Sequence, residues 1–350
     1  MIMAREEMTS RERVLAVFNR TSYDKVPVIN PTSVAIVESM RLTGAFFPHV
    51  HTDGSAMAAL AGAGHDLFGF DSVTPYFSIH QEAAALGCEI DWGKLDKFPQ
   101  ILKSPLLEPD DFVMPKNFLD RKPIKTLLQA IKALKKKYGS EVAIIGKVVG
   151  PWTLAYHLHG AANLILETNL EPQKVHRFLE VLAQVPIQFA HAQFEAGADI
   201  LTWADHATAD LISAKAYAEF LLPVQQRCNK TLQKAGPVIL HNCGPVADRL
   251  NLFAQAGFDA FHIDSRNNVR EAVDIVGERM ILTGNINNPS ILLNGTVADV
   301  RRAVNNALDN GIELVSPECA LPCWVPSRNL REIIHAARSR KGSARGDACG

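Results

Sequence analysis

Gly236-Pro237-Val238-Ile239-Leu240-His241-Asn242-Cys243-Gly244-Pro245 is the stretch on which the fold and the chemistry of this chain both turn. Three apolar residues, Val238 to Leu240, follow a helix-stopping glycine and read as a buried strand. The strand stops at a polar turn containing Gly244 and Pro245. If the pleat persists, His241 and Cys243, two apart, point to the same side. Imidazole and thiolate together are a zinc-type donor pair.

The same unit, a helix stopped by glycine and followed by a short apolar strand, recurs on both sides. Upstream, a basic helix of about 123–137 leads to a strand at 142–149, and a helical region of about 172–195 feeds 199–205. A helix of about 214–234 precedes the quoted stretch. Downstream, helices of about 245–255, 268–277 and 297–309 feed strands at 259–264, 280–285 and 312–316. A last helix of about 326–338 precedes a polar tail, 341–350, expected to be disordered. These six strands, with two more near 26–29 and 72–77, make eight, the count of a (β/α)8 TIM barrel. Residues 1–340 are therefore expected to form a single domain. Residues 31–120, with a helix around 53–63 and a polar stretch at 87–111, read as an irregular N-terminal layer over it. The same alternation would also suit an open doubly wound sheet. Near the start, Thr9 and Glu12 form a capping box for a helix whose apolar stripe is Val14, Leu15, Val17 and Phe18.

Composition narrows the partners. With 47% hydrophobic residues, 21% charged residues and a net charge of −1, neither a nucleic-acid face nor an acidic tail is indicated. No long apolar run and no charged-then-apolar leader suggests a membrane span or a secretory signal. Six cysteines in 350 residues are too sparse for a disulfide framework and suit a reducing cytoplasm in which thiols can bind metal.

In a barrel, chemistry collects at the carboxyl ends of the strands. There the sequence places Asp205, His206, His241, Cys243, Asp264, Asn285 and Cys319. Cys319, just past a strand in Ser316-Pro317-Glu318-Cys319-Ala320, is the candidate third ligand beside His241 and Cys243; Cys323, farther along the same loop, is its rival. Three protein ligands and one open position describe catalytic zinc. Asp205 suits a general base, a substrate anchor or a hydrogen-bond partner for a ligating histidine. Cys88, Cys228 and Cys349 read as unliganded. His157 and His159 either reach a ligand or sit on a loop or helix surface, and His262 alternates with Asp264, so either could face inward. Phosphate-binding glycine loops of either common type and a Gly-x-Ser-x-Gly nucleophile elbow are absent.

Over most of its length, from Asp24-Lys25-Val26-Pro27-Val28 to the Cys319 loop, the chain resembles the uroporphyrinogen decarboxylase superfamily. Within it, the chain is most similar to the zinc-dependent methylcobamide:coenzyme M methyltransferases of the MtaA/MtbA type. The resemblance is strongest at His241-Asn242-Cys243-Gly244, Thr283-Gly284-Asn285-Ile286 and Gly311 through Cys319. It implies a catalytic zinc on His241, Cys243 and Cys319, with Asp264 as candidate fourth ligand and Asn285 as candidate cofactor contact. It further implies a methylcobamide supplied by a corrinoid-carrying protein, a small thiol acceptor such as coenzyme M, and a place in methanogenic one-carbon metabolism. Homocysteine or tetrahydrofolate as acceptor, porphyrinogen decarboxylation, and a corrinoid-protein partner with a structural zinc completed by Cys323 are the alternatives. The decarboxylases carry an arginine-rich stretch near the amino end for the substrate carboxylates. Here that region reads Ile29-Asn30-Pro31-Thr32-Ser33-Val34, with no arginine until Arg41, which disfavours decarboxylation.

Overall fold

A computed structural model describes residues 7–340; the tail expected at 341–350, with Cys349, lies outside the described residues. Nine strands are present among them: β1 (Ser72–Val73), β2 (Glu89–Asp91), β3 (Gln100–Lys103), β4 (Ala143–Val149), β5 (Ile200–Ala204), β6 (Val238–Asn242), β7 (Ala260–Ile263), β8 (Ile281–Ile286) and β9 (Leu314–Pro317). Seven are parallel neighbours in the order β1-β4-β5-β6-β7-β8-β9. The ring closes through the segment expected as a first strand: Val28 bridges Val315 in parallel. On one side the Ile29 amide donates to Val315 O at 2.9 Å, and on the other the Asp71 amide donates to Val28 O at 2.7 Å. That closure distinguishes a barrel from an open doubly wound sheet, which would leave both edges unpaired.

Most helices fall where the glycine stops predicted, including Lys122–Tyr138 and Val297–Asp309, and the last helix, Ser327–Arg338, lies where it was expected. The departures have local causes. The region of 172–195 divides into Pro172–Leu182 and Gln184–Ala196, and Pro186, near the start of the second helix, has no amide to carry one ladder through. In 214–234 a π-turn, Tyr217–Leu221, sits just before Pro223, as expected where a proline removes a helical donor. Only Ser72–Val73 of the run 72–77 is strand. The polar stretch 87–111 holds the antiparallel pair β2–β3, and 151–170, unassigned from sequence, is helical through most of its length.

Two stacked layers of inward side chains position the site. The lower layer, Ala143, Ile145, Ile200, Ile239, Ala260, Ile281 and Leu314 with Ile29, is one apolar cluster. Strand side chains alternate, so the next inward position on each strand lies two residues on. Those positions are Lys147, Thr202, His241, His262, Thr283 and Ser316, all buried and all polar. The barrel therefore changes from hydrocarbon to polar within one pleat. Below, the helix Ser10–Phe18, with its capping box in place, packs Val14 and Val17 under the apolar layer. Its buried Arg13 reaches Asp24 at 2.7 Å and Asp71 at 2.9 Å.

Candidate metal centre

His241 stands near the end of β6 in the polar layer, Cys243 follows in the turn, and Cys319 arrives on the loop after β9. The three converge. His241 Nε2 lies 3.1 Å from Cys243 Sγ and 3.6 Å from Cys319 Sγ, and the Cys243 thiol donates to Cys319 Sγ at 2.9 Å. Gly244, at φ +129°, lets the chain leave Cys243 sharply; a side chain there would run into Thr208. The hydrogen bonds from Cys243 and His241 pull Cys319 well below the ordinary thiol value, while the neighbouring Cys319 sulfur and burial hold Cys243 well above it.

One imidazole nitrogen and two thiol sulfurs, each able to offer an atom within 4.8 Å of the others, match the donor chemistry zinc takes. Among the described residues this is the single group of at least three such side chains so gathered. Asp264 stands outside it. Arg266 takes both Asp264 oxygens, with its backbone amide at 2.8 Å and its guanidinium at 3.1 and 3.2 Å. Cys323, the rival to Cys319, is also outside, buried with its thiol pushed up to about 11. Asn285 sits at the end of β8 and donates to Asn267 O at 3.5 Å, away from the three ligand atoms' cavity.

That cavity, about 220 Å³, is lined by the three candidate ligands with Ile79, Thr153, Ala204, Asp205 and His206. Asp205 is 1% exposed. Its carboxylate accepts from the Thr153 amide at 2.9 Å and from Gln225 Nε2 at 3.2 Å. Burial still outweighs these bonds and raises its pKa to about 6. Burial, then the neighbouring His241, lowers that of His206, whose Nδ1 lies 3.2 Å from Tyr156 OH. His157 and His159 do not line the cavity: His157 stacks on His80, and His159 lies between Leu107 O and Glu167.

Sequence reasoning missed Lys147. Its ammonium, buried in the polar layer, donates to Tyr76 O at 3.0 Å and Thr32 O at 3.2 Å and lies 4.5 Å from the Tyr76 ring centre. Burial lowers its pKa to about 8, and the sulfurs of Cys319 and Cys243 lie within its electrostatic reach. A lysine at an inward position of an otherwise apolar strand was the available signal. Nearby Glu82, raised by burial to about 7, accepts from Tyr76 OH and from the Val149 amide at 2.9 Å; its position in the irregular layer offered no pattern.

The family profile described as uroporphyrinogen decarboxylase (URO-D) matches residues 9–340. The methylcobamide:CoM methyltransferase MtbA of Methanosarcina acetivorans is 33% identical over 341 residues, 96% of this chain and 99% of that protein. A uroporphyrinogen decarboxylase of Geobacter is more distant, 25% identical over 254 residues, 70% of this chain and 71% of that protein. Among solved structures, a methyltransferase from Methanosarcina mazei superposes with a TM-score of 0.92 at 30% identity, covering 95% of this chain and 99% of that one.

Proposed function

The chain belongs to the uroporphyrinogen decarboxylase family, and from that premise we propose that it is a methyltransferase. It moves a methyl group from a methylated corrinoid, carried by a separate protein, to a small thiol, and its relatives' names favour coenzyme M as the acceptor. The observation that carries this reading is the convergence of His241, Cys243 and Cys319 on one small cavity. Zinc held by those three residues would supply the Lewis acidity that lets a bound thiol lose its proton near neutral pH.

The remaining roles belong to the chain. Asp205 faces the same cavity, and a carboxylate of pKa about 6 is suited to accept the proton an entering thiol releases. The Thr153 amide and Gln225 hold it in place. Ile79 and Ala204 supply an apolar wall that limits water around the sulfur. The thiolate sulfur then attacks the methyl carbon in line. The S–C bond forms as the Co–C bond breaks, and the bonding pair stays on cobalt. Holding sulfur and methyl in register across two proteins contributes as much as activation does.

Decarboxylation of a polycarboxylate fits poorly. The cavity lining carries no arginine or lysine. In the segment where the decarboxylases place arginines, Asn30 folds back on its own loop, accepting from Thr32 and donating to Ser33 O. A structural zinc would need a fourth permanent ligand, and Cys323 stands outside the group. The direct test is incubation of the zinc-loaded protein with methylcobalamin and coenzyme M, homocysteine or other thiols while cobalamin absorbance is followed. Demethylation with coenzyme M is expected; none with any thiol would overturn the reading.

A further inference from the structure

Two orphaned nitrogens inside the barrel have complementary chemistry. His241 turns Nε2 toward the two sulfurs, so for that nitrogen to offer a lone pair the ring proton must sit on Nδ1. Nδ1 of His241 is buried and has no hydrogen-bond partner among the described residues. The register partner of His241 on β7 is His262, fully buried, its ring centre 4.7 Å from that of His241 and tilted by 36°. Nε2 of His262 lies 2.7 Å from Pro317 O and 2.8 Å from Ser316 Oγ. A carbonyl oxygen only accepts, so Nε2 carries the proton of a neutral ring and Nδ1 is left as a bare acceptor. That Nδ1 is buried and without a partner too. One orphan is a donor and the other an acceptor, on neighbouring rings at paired register positions.

We propose that His262 is a positioning residue for the metal centre: its Nδ1 receives the His241 Nδ1–H, fixing the tautomer and the ring plane in which His241 presents Nε2. Through Nε2–H it also holds Pro317 O, two residues before Cys319, so one side chain ties the strand of one candidate ligand to the loop of another. The tautomer of a ligating histidine is set by what its second nitrogen meets, and removing such a partner typically weakens metal binding by about 10- to 100-fold. This rests on the reading of His241 as a ligand.

The test uses the full chain. Zinc affinity is measured by chelator competition for the wild type, His262→Leu and His262→Gln, and melting is followed for each. His262→Leu removes both hydrogen bonds, and His262→Gln offers an amide oxygen to His241 and an amide N–H to Pro317. The expected result is a loss of about 10- to 100-fold in zinc affinity for His262→Leu, largely recovered in His262→Gln. In parallel, nitrogen NMR of the zinc-loaded wild type should show the His241 proton on Nδ1, with a chemical shift that His262→Gln alters. Wild-type affinity in a folded His262→Leu protein, or a His241 proton that ignores position 262, overturns the proposal. Should His262→Leu fail to fold, the His262→Gln spectrum alone decides it. Absence of zinc binding by the wild type would instead strike the metal reading beneath it, and this proposal with it.

Discussion

Replacing Asp205 by asparagine keeps the shape of a side chain that is 1% exposed and removes its charge. Burial raises the carboxyl from its ordinary 3.8 to about 6, so the folded protein holds this proton more tightly than the unfolded chain does. The stability that Asp205 contributes is therefore fully present below its unfolded value and is lost as pH rises through its folded value. At about 1.4 kcal/mol for each pH unit separating the two, the loss amounts to about 3 kcal/mol. Asparagine undergoes no such change. The stability of Asp205→Asn relative to wild type should thus climb by about 3 kcal/mol between about pH 3 and pH 7. A fixed cost of about 1 kcal/mol for hydrogen bonds altered at Thr153 or Gln225 shifts both ends equally and leaves the climb intact. Urea unfolding of both proteins across that range, with a chelator present, measures it. The same substitution should flatten the acid limb near pH 6 in kcat/KM for the thiol. A stability difference independent of pH, or an unchanged acid limb, would refute the assignment of a burial-raised carboxylate acting as proton acceptor at 205.

Cys319→Ala and His241→Ala should each leave a folded barrel that has lost its zinc and its activity, because the apolar layer beneath does not depend on them; elemental analysis and circular-dichroism melting would show this, and unfolding would argue for a structural metal. Gly150→Ala places a methyl group 2.3 Å from the Asp205 carboxylate, so a cost of about 1–3 kcal/mol is expected together with a raised KM for the thiol. Arg13→Ala strips Asp71, fully buried, and Asp24 of their shared guanidinium. It should cost about 3 kcal/mol in chemical denaturation with little change in kcat, since it lies at the opposite end of the barrel.

Legibility followed periodicity. The quoted stretch around Val238 and its repeats were readable because a buried parallel strand leaves a continuous apolar run and the helix before it stops at a glycine. Where the pattern was weak, at β1 with two residues or at the β2–β3 pair in a polar stretch, tertiary contacts rather than local preference made the strands. The broken helices near Pro186 and Pro223 were foreseeable from proline alone.

By itself the sequence determined the alternation of strands and helices, and the residues at the strand ends from which a zinc-type donor set could be drawn. Those are properties of neighbours along the chain, and spacing of two or of three to four residues encodes them directly. Tertiary structure alone decided that Val28 closes the ring and that Cys319, rather than Cys323, meets the other two donors. It also decided that Lys147 and His262 share the polar layer with His241. Each of these depends on the shear and closure of eight strand positions, which set which distant side chains reach the same height inside the barrel. No single segment carries that information.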